Sequence, residues 1–525
     1  MDWFVLGSFV GYLALMLWIG FFFSKRQEDL GDYYLGGRKM NKWVVALSAQ
    51  ASDMSGWLLM GLPGAVYGGG FSKAWIGIGL LIGTYLNWKI VAKRLRVYSH
   101  ACKDSITIPD FICNRFRDPT GVSRIIAAVI ILVFFTFYTA SGFVSCAKLF
   151  TTTFGIPETI ESLGGMSGYA LCLWIGAIVV VSYTLLGGYM AVCWTDFIQG
   201  SLMFVAIVLV PAIVVCNVGG FAETVEGLNE SSPYLLNLFT NASTGKAVGF
   251  IGLASSLAWA LGYFGMPHIL VRFMSINSPA EIRGSRRIAM TWVTVSLAAA
   301  VIIGLVFHLY LNDPQHLAAF KNNNSDPERC FMVMINGIFN GGFLIRVFAG
   351  ILLSAIMAAI MSTADSQLLV SASSFSNDLY KVVLRKKASN KELIFVSRLA
   401  VGAVALVAIF MSMNQESDFF KAVMNMVEFA WGGFGAAFGP LILLALFWRR
   451  TNLAGAVAGM VIGAVTCFVW KFALSDYAGT YEIFGLYELV PGFLFAFVTT
   501  IVVSLLTKRP SAEMFAEFDS VRGQM

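Results

Sequence analysis

Charge is scarce in this chain. Only 13% of its 525 residues are Asp, Glu, Lys or Arg, about half of what wets the surface of a soluble globular protein, while 58% are hydrophobic. That balance excludes a soluble enzyme and a disordered scaffold. Histidine is scarcer still. The four residues His100, His268, His308 and His316 are dispersed, and no HExxH or Ser-His-Asp signature stands out, which argues against an integral membrane enzyme. The eight cysteines show no CxxC spacing, and Cys146, Cys172, Cys193, Cys216 and Cys467 lie in or beside apolar runs. They read as small core residues rather than a disulfide framework or a metal site. No GxxxxGK[ST] phosphate loop is present, and a net charge of +6 is too small to suggest nucleic-acid binding.

What the chain has in abundance is long apolar runs. A spanning helix needs about 20 mostly apolar residues, and thirteen such runs can be marked, from 3–24 to 486–506. The expected layout is an all-α polytopic membrane protein forming a single transmembrane domain over 1–525. It has a peripheral helix at 3–24, a first repeat at 43–216, a second at 246–447, two peripheral helices at 453–506 and a tail at 507–525. Residues 3–24 lack a preceding basic stretch and a following small-residue cleavage site, and so read as an anchor rather than a removable signal. Basic residues crowd alternate connections: Lys25, Arg26, Arg38 and Lys39; Arg94 and Arg96; Arg272, Arg283 and Arg286; Arg385 to Lys387; Arg449 and Arg450. The positive-inside rule makes that side cytoplasmic, with the N-terminus outside, the C-terminus inside and an odd number of spans.

Two spans are interrupted. AQASDMSGWLLMGLPGAVYGGG carries Asp53 beside Ser52, Ser55 and Gly56, with Pro63 following. An Asp near the bilayer centre costs about 2.5–3.5 kcal/mol and needs a partner or a water-filled cavity. LAWALGYFGMPHIL repeats the breakage at Gly262, Gly265 and Pro267. Five spans separate the two, an odd offset that reverses direction, so each opens one half of an inverted repeat. Such paired breaks point to a secondary transporter's binding site. Taken singly, either kink is as readily packing, and Asp53 a simple helix cap. A channel would favour continuous pore-lining helices instead.

The ninth span holds Ser362, Thr363, Asp365, Ser366 and Gln367 in an apolar helix, with Ala358 and Ala359 one turn earlier. Hydroxyls with freed carbonyls suit a small hard cation, although Ser and Thr also bond back to their own helix. Asp196, in WTDFIQG, is a candidate for a further ion site or exit path, or an interfacial helix-start acid favoured by the macrodipole. His268 reads as a structural interior histidine.

Together, ASDMSGWLLMGLPGAV, GYFGMPHILVRFM, MAAIMSTADSQLLVSAS, the Gly-Gly-Arg at 36–38 and YTASG at 138–142 resemble the sodium:solute symporter family, most of all its sodium/proline symporters. The resemblance covers nearly the whole chain. It implies a LeuT-like 5+5 inverted-repeat core with two broken helices, in the cell membrane. It implies L-proline import coupled to Na⁺, the co-transported ion, by alternating access; the same family also carries other small solutes, among them amino acids, carboxylates, sugars and vitamins. It further implies a sodium site from the carbonyls of Ala51, Met54 and Ala359 and the hydroxyls of Ser362 and Thr363, with Asp53 organising it and Arg38 gating at the cytoplasmic mouth. The substrate pocket maps onto Ser55, Gly56, Trp57, Tyr138, Trp259, Tyr263 and Pro267. Asp365 departs from the family pattern and leaves open whether one or two cations are coupled.

Overall fold

A computed structural model describes residues 2–24, 30–158 and 166–524; Lys25 and Arg26 lie outside the described residues. The chain is helical almost throughout. The helices that matter for the site are α1 (Trp3–Ser24), α2 (Lys42–Asp53), α3 (Leu62–Gly69), α4 (Ala74–Leu86), α5 (Val122–Phe154), α6 (Gly168–Leu186), α7 (Tyr189–Val218), α8 (Phe250–Gly262), α9 (Pro267–Ser275), α10 (Ile282–Tyr310), α11 (Phe343–Ser373), α12 (Asn390–Ser412), α13 (Val423–Phe447), α14 (Leu453–Val469), α15 (Leu489–Leu506) and α16 (Ala512–Gly523).

Among the described residues, twelve helical stretches are long and apolar enough to cross a membrane. The thirteen spans of the sequence reading meet this number once the first break is considered. The stretch Trp57–Ala101 unites the second half of the broken span with the span after it, and the chain turns between them at Gly70, whose φ of +71° only glycine adopts freely. The first half, α2, has 12 residues and cannot cross alone.

Local signals explain the ends. Asn41 caps α2, its side chain accepting from the amides of Trp43 (2.9 Å) and Val44 (3.1 Å). Met54, at φ −92° and ψ 80°, leaves helical geometry, and a short π turn at Trp57–Gly61 restarts the helix before α3. The second break comes where α8 stops at Gly262 and α9 begins with Pro267, whose missing amide costs nothing at a helix start. That broken span runs past the LAWALGYFGMPHIL stretch, because α9 continues to Ser275.

The interior is built around α11 and α13. Every residue from Leu352 to Ser374 is buried, as is every residue from Phe429 to Ile442. α11 packs on α1, α2, α5 and α7, and α13 on α5, α8, α14 and α15. By contrast α1, α14 and α15 expose apolar side chains such as Trp18, Val465 and Val498, as helices facing acyl chains do. The expected tail at 507–525 is largely a docked helix. α16 buries Met514, Phe518 and Val521, with Phe518 edge-on to Tyr98 and under the Arg115 guanidinium at 5.6 Å.

Small residues let the second break seat against α13. A methyl group added at Gly265 would overlap the Phe434 carbonyl and stand 2.9 Å from the Gly439 amide nitrogen. Gly265→Ala is therefore expected to cost about 1–3 kcal/mol through forced backbone movement, read as a lowered midpoint of thermal unfolding of the purified protein. Gly249→Ala, where an added methyl meets nothing within 4 Å, is the matched control and should leave the midpoint in place.

Candidate ion and solute site

The two breaks and α11 converge. Where α2 ends, the carbonyl of Ala51 accepts from Ser362 Oγ at 2.8 Å and from Thr363 Oγ1 at 3.4 Å. Ser362 also reaches its own helix at the Ala359 carbonyl, 3.2 Å away. Four of the five groups expected around a cation (Ala51, Ala359, Ser362 and Thr363) thus meet within hydrogen-bonding distance. The fifth, Met54, is fully buried at the end of the same turn. The i, i+1 placement of Ser362 and Thr363 on a continuous helix lets both hydroxyls face a single carbonyl of the broken one.

Asp53 sits one step on, fully buried. Tyr263, in the second break, donates its phenol to Asp53 Oδ2 at 2.6 Å, and Oδ1 has no donor. The Asp53 carbonyl, freed by the break, accepts from Trp57 Nε1 at 3.0 Å and from Tyr138 on α5 at 3.3 Å. Ser55 turns toward the restarting helix, its hydroxyl 3.4 Å from the Trp57 amide. Gly56 is pressed on α5, so that a Cβ there would stand 2.5 Å from Ser145 Oγ. Trp57 and Trp259 lie 6.3 Å apart, and Trp259 stacks on Trp431 at 6.1 Å. Pro267 opens α9 beside His268, whose ring is 6.3 Å from that of Tyr138. All seven residues assigned to the pocket are buried and lie along this line.

Arg38 is placed elsewhere. Its guanidinium binds Asp104 Oδ1 (2.8 Å), the Met274 carbonyl at the end of α9 (2.6 Å), the Ser105 carbonyl (2.8 Å) and Ser99 Oγ (3.2 Å). It thereby ties the far end of the second broken helix to the loop after residue 101. Burial draws this guanidinium below its ordinary range, against the pull of Asp104. Burial acts upward on Asp104, yet His100 and Arg38 together hold its carboxyl below the usual carboxylate range.

One central residue was misread from sequence. Arg272 counted as a cytoplasmic loop charge, but the extended α9 carries it into the interior, where it is 1% exposed. It binds Asp196 Oδ2 at 3.1 Å, Ser48 Oγ at 3.1 Å and Ser366 Oγ, and Ser48 itself donates to Asp196 at 2.6 Å. Asp196 is accordingly a buried ion-pair partner and not an interfacial cap. Asp365, the neighbour of Ser366, is fully buried with one oxygen 3.2 Å from Ser366 Oγ and the other without a donor. A basic residue in the last turn of an apolar half-helix, with an acid on another span, is the signal that could have found this pair.

The arrangement is that of a secondary transporter, with two helices interrupted in the interior and a polar face of a third against one of them. The comparisons with known proteins agree. The sodium:solute symporter family profile matches residues 33–463, and the chain belongs to that family. It is 46% identical over 519 residues to the sodium/proline symporter of Escherichia coli (strain K12), covering 98% of this chain and 96% of that protein. It is 45% identical over 511 residues to the high-affinity proline transporter PutP of Bacillus subtilis (strain 168), covering 97% and 100%. Among solved structures, a Na⁺-coupled sialic acid symporter in its outward-open state superposes with a TM-score of 0.74 at 19% identity, over 97% of this chain and 99% of that one. MhsT in complex with L-phenylalanine gives 0.54 at 14%, over 89% and 98%. The fold is the LeuT-like one, in a multi-pass membrane protein that is a transporter and not an enzyme.

Removing one member of a buried ion pair strands the other charge, at about 3–5 kcal/mol. Arg272→Gln should therefore lower the thermal unfolding midpoint clearly. The double substitution with Asp196→Asn should recover most of the loss, and a double mutant no more stable than the single would refute the pairing.

Proposed function

We propose that the chain is an electrogenic Na⁺/L-proline symporter of the plasma membrane, working by alternating access. The observation that carries the reading is the convergence of Ser362 and Thr363 on the Ala51 carbonyl. Two hydroxyls and a carbonyl freed from its helix are oxygen donors of low fixed charge, suited to a sodium ion that must bind and leave. In this reading Ala51, Met54 and Ala359 supply carbonyls and Ser362 and Thr363 hydroxyls. Asp53, held by Tyr263, fixes the break on which that geometry depends.

Proline is a zwitterion with a small apolar ring. Its carboxylate suits the amides of the restarting helix at Ser55, Gly56 and Trp57. Its ring suits the flat walls of Trp57, Tyr138, Trp259 and Tyr263, with Pro267 closing one end. The sodium/proline symporters among the relatives support the choice of solute. Each ion carries about 2.3 kcal/mol per 100 mV, and a tenfold sodium gradient adds about 1.4 kcal/mol, enough for one ion to concentrate a neutral solute more than a hundredfold.

The proposed orientation has the N-terminus outside and the C-terminus cytoplasmic, supported by the basic connections. Residues 43–216 and 246–447 form the inverted halves, flanked by 3–24 and 453–506. Arg38 then stands at the cytoplasmic mouth, where its bond to Met274 couples the second broken helix to gating. Asp196 and Asp365 are the groups through which a second cation would be coupled.

Uptake of radiolabelled proline into reconstituted vesicles under separate Na⁺, Li⁺ and H⁺ gradients tests the whole reading, which expects saturable accumulation driven by Na⁺. Ser362→Ala with Thr363→Ala should raise the Na⁺ concentration for half-maximal uptake at least about tenfold, the loss of one or two ion-oxygen contacts; an unchanged sodium curve would sink the cage. Trp259→Ala should weaken proline binding by about tenfold or more through lost ring contact, measured by equilibrium binding at saturating Na⁺.

A further inference from the structure

At its far end α11 widens into a π-helical segment, Ser374–Leu384, and the chain turns through 385–389 into α12. One face of that segment is held by polar bonds. Asp378 is fully buried and accepts from Arg124 Nε of α5 at 2.6 Å and from Thr107 Oγ1 at 3.0 Å, and Ser376 Oγ lies 2.7 Å from the Tyr34 phenol oxygen. The other face borders a groove of about 540 Å³ between the π segment, α5 and α12, walled by Leu132 and Thr136, Phe375 and Tyr380, and Ala400 and Ala403. The groove is apolar. Both polar side chains on its wall already have partners: Thr136 donates to the Leu132 carbonyl at 2.7 Å, and Tyr380 donates to Glu392 at 2.8 Å. Along α12 it extends from Val396 to Val407, about 16 Å of helix rise. That length matches one leaflet of a hydrocarbon core about 30 Å thick. Its rim is open, with Leu384, Leu399 and Val407 more than half exposed.

Charge gathers at one end of this groove. Leu384 on the rim is followed at once by Arg385, Lys386 and Lys387, and with Lys381 and Lys391 the stretch 381–391 holds five basic residues and no acid. The nearest carboxylate in the chain, Glu392, is already engaged by Arg385 Nη1 and the Tyr380 phenol, each at 2.8 Å. Among the described residues Lys381, Lys386, Lys387 and Lys391 form no ion pair. Lysines at the end of an apolar surface extend their ammonium groups to the headgroup level. A cluster of such cations beside a membrane span attracts anionic lipid, each Lys or Arg adding to the affinity, and gives a zwitterionic lipid no comparable gain.

We propose that the groove between α5, the π segment and α12 is a binding site for one anionic phospholipid, an acyl chain lying in the slot and the phosphate-bearing headgroup among Lys386, Lys387 and the neighbouring lysines. The slot and the cations are contiguous through Leu384, so a single molecule spans both. The site is on the outside of the bundle, apart from the two broken helices, and does not depend on which solute the protein carries. A lipid seated there packs against the continuation of α11, the helix that bears Ser362 and Thr363.

The test is native mass spectrometry of the purified, delipidated full chain, titrated with dioleoyl-phosphatidylglycerol or with dioleoyl-phosphatidylcholine, which share their chains and differ in headgroup charge. One phosphatidylglycerol should saturate well before further lipids add, and phosphatidylcholine should show no such step. Lys386→Gln with Lys387→Gln should raise the apparent Kd of that step about thirtyfold, the loss of two headgroup contacts. Ala403→Trp, which fills the slot and leaves every charge in place, should weaken it at least about tenfold. All three positions are exposed, so these substitutions disturb no buried packing. Equal binding of the two lipids would overturn the site, marking ordinary annular lipid. An unchanged Kd in the lysine variant would overturn it by removing the headgroup from the cluster. Weakening by the lysine substitutions but none by Ala403→Trp would also overturn it, since attraction to a charged surface would then suffice without the groove.

Discussion

The structure depends on one constraint: a helix broken inside a membrane protein frees backbone carbonyls and amides that lipid cannot satisfy. At the first break the Ala51 and Asp53 carbonyls are released, and each is met by side chains from other elements. Ser362 and Thr363 of α11 answer the former, and Trp57 and Tyr138 the latter. The polar residues of α11 are thus the complement of a backbone defect. Because that complement is made of rotatable hydroxyls rather than fixed charges, the same oxygens would, in the proposed sodium site, turn from a carbonyl to an ion by rotation alone. The break, the hydroxyl pair and the continuous buried helix that carries it form one unit.

Around that unit the charges are handled by pairing. Asp53 takes a phenol from the opposite break, Asp196 a guanidinium and a serine hydroxyl, and Arg38 the Asp104 carboxylate together with the Met274 carbonyl. The second broken helix is therefore held at both ends. Its unwound turn is fixed on Asp53 through Tyr263, and its last turn is fixed through Arg272 and the Met274 carbonyl. A movement of α9 would have to exchange polar partners at both ends together, which makes it a natural two-state element in the sense that packed, hydrogen-bonded interiors switch rather than bend.

Much of this was legible in the sequence because breakage leaves local marks. Gly56, Gly262, Gly265 and Pro267 interrupt apolar runs, Asp53 stands where a carboxylate is expensive, and Ser362 with Thr363 stand where hydroxyls are unusual. What escaped were residues whose meaning is set by tertiary placement. Arg272 lies where basic residues normally reach water, and only the extension of α9 to Ser275 takes it inside. Ser48 has no local signature, since its role arises from Asp196 on another helix. The tail could not be recognised as a docked helix because its three buried residues, Met514, Phe518 and Val521, are too sparse to show a clear apolar stripe.

The division of labour between α11 and the aromatic wall has a consequence for how such a protein can change. Ser362, Thr363 and Ser366 each hold an identified backbone or side-chain partner, so almost any replacement there breaks a bond. Trp259 meets both Trp57 and Trp431 ring against ring; those two also give their indole N–H to the Asp53 and Trp259 carbonyls, so Trp259 is the one whose place a differently shaped apolar surface could take without breaking an identified side-chain bond. If the proposed roles hold, selection, or a protein engineer, could therefore retune the cargo through Trp259 while leaving the power source untouched, and one scaffold could diversify across many nutrients without reinventing its engine.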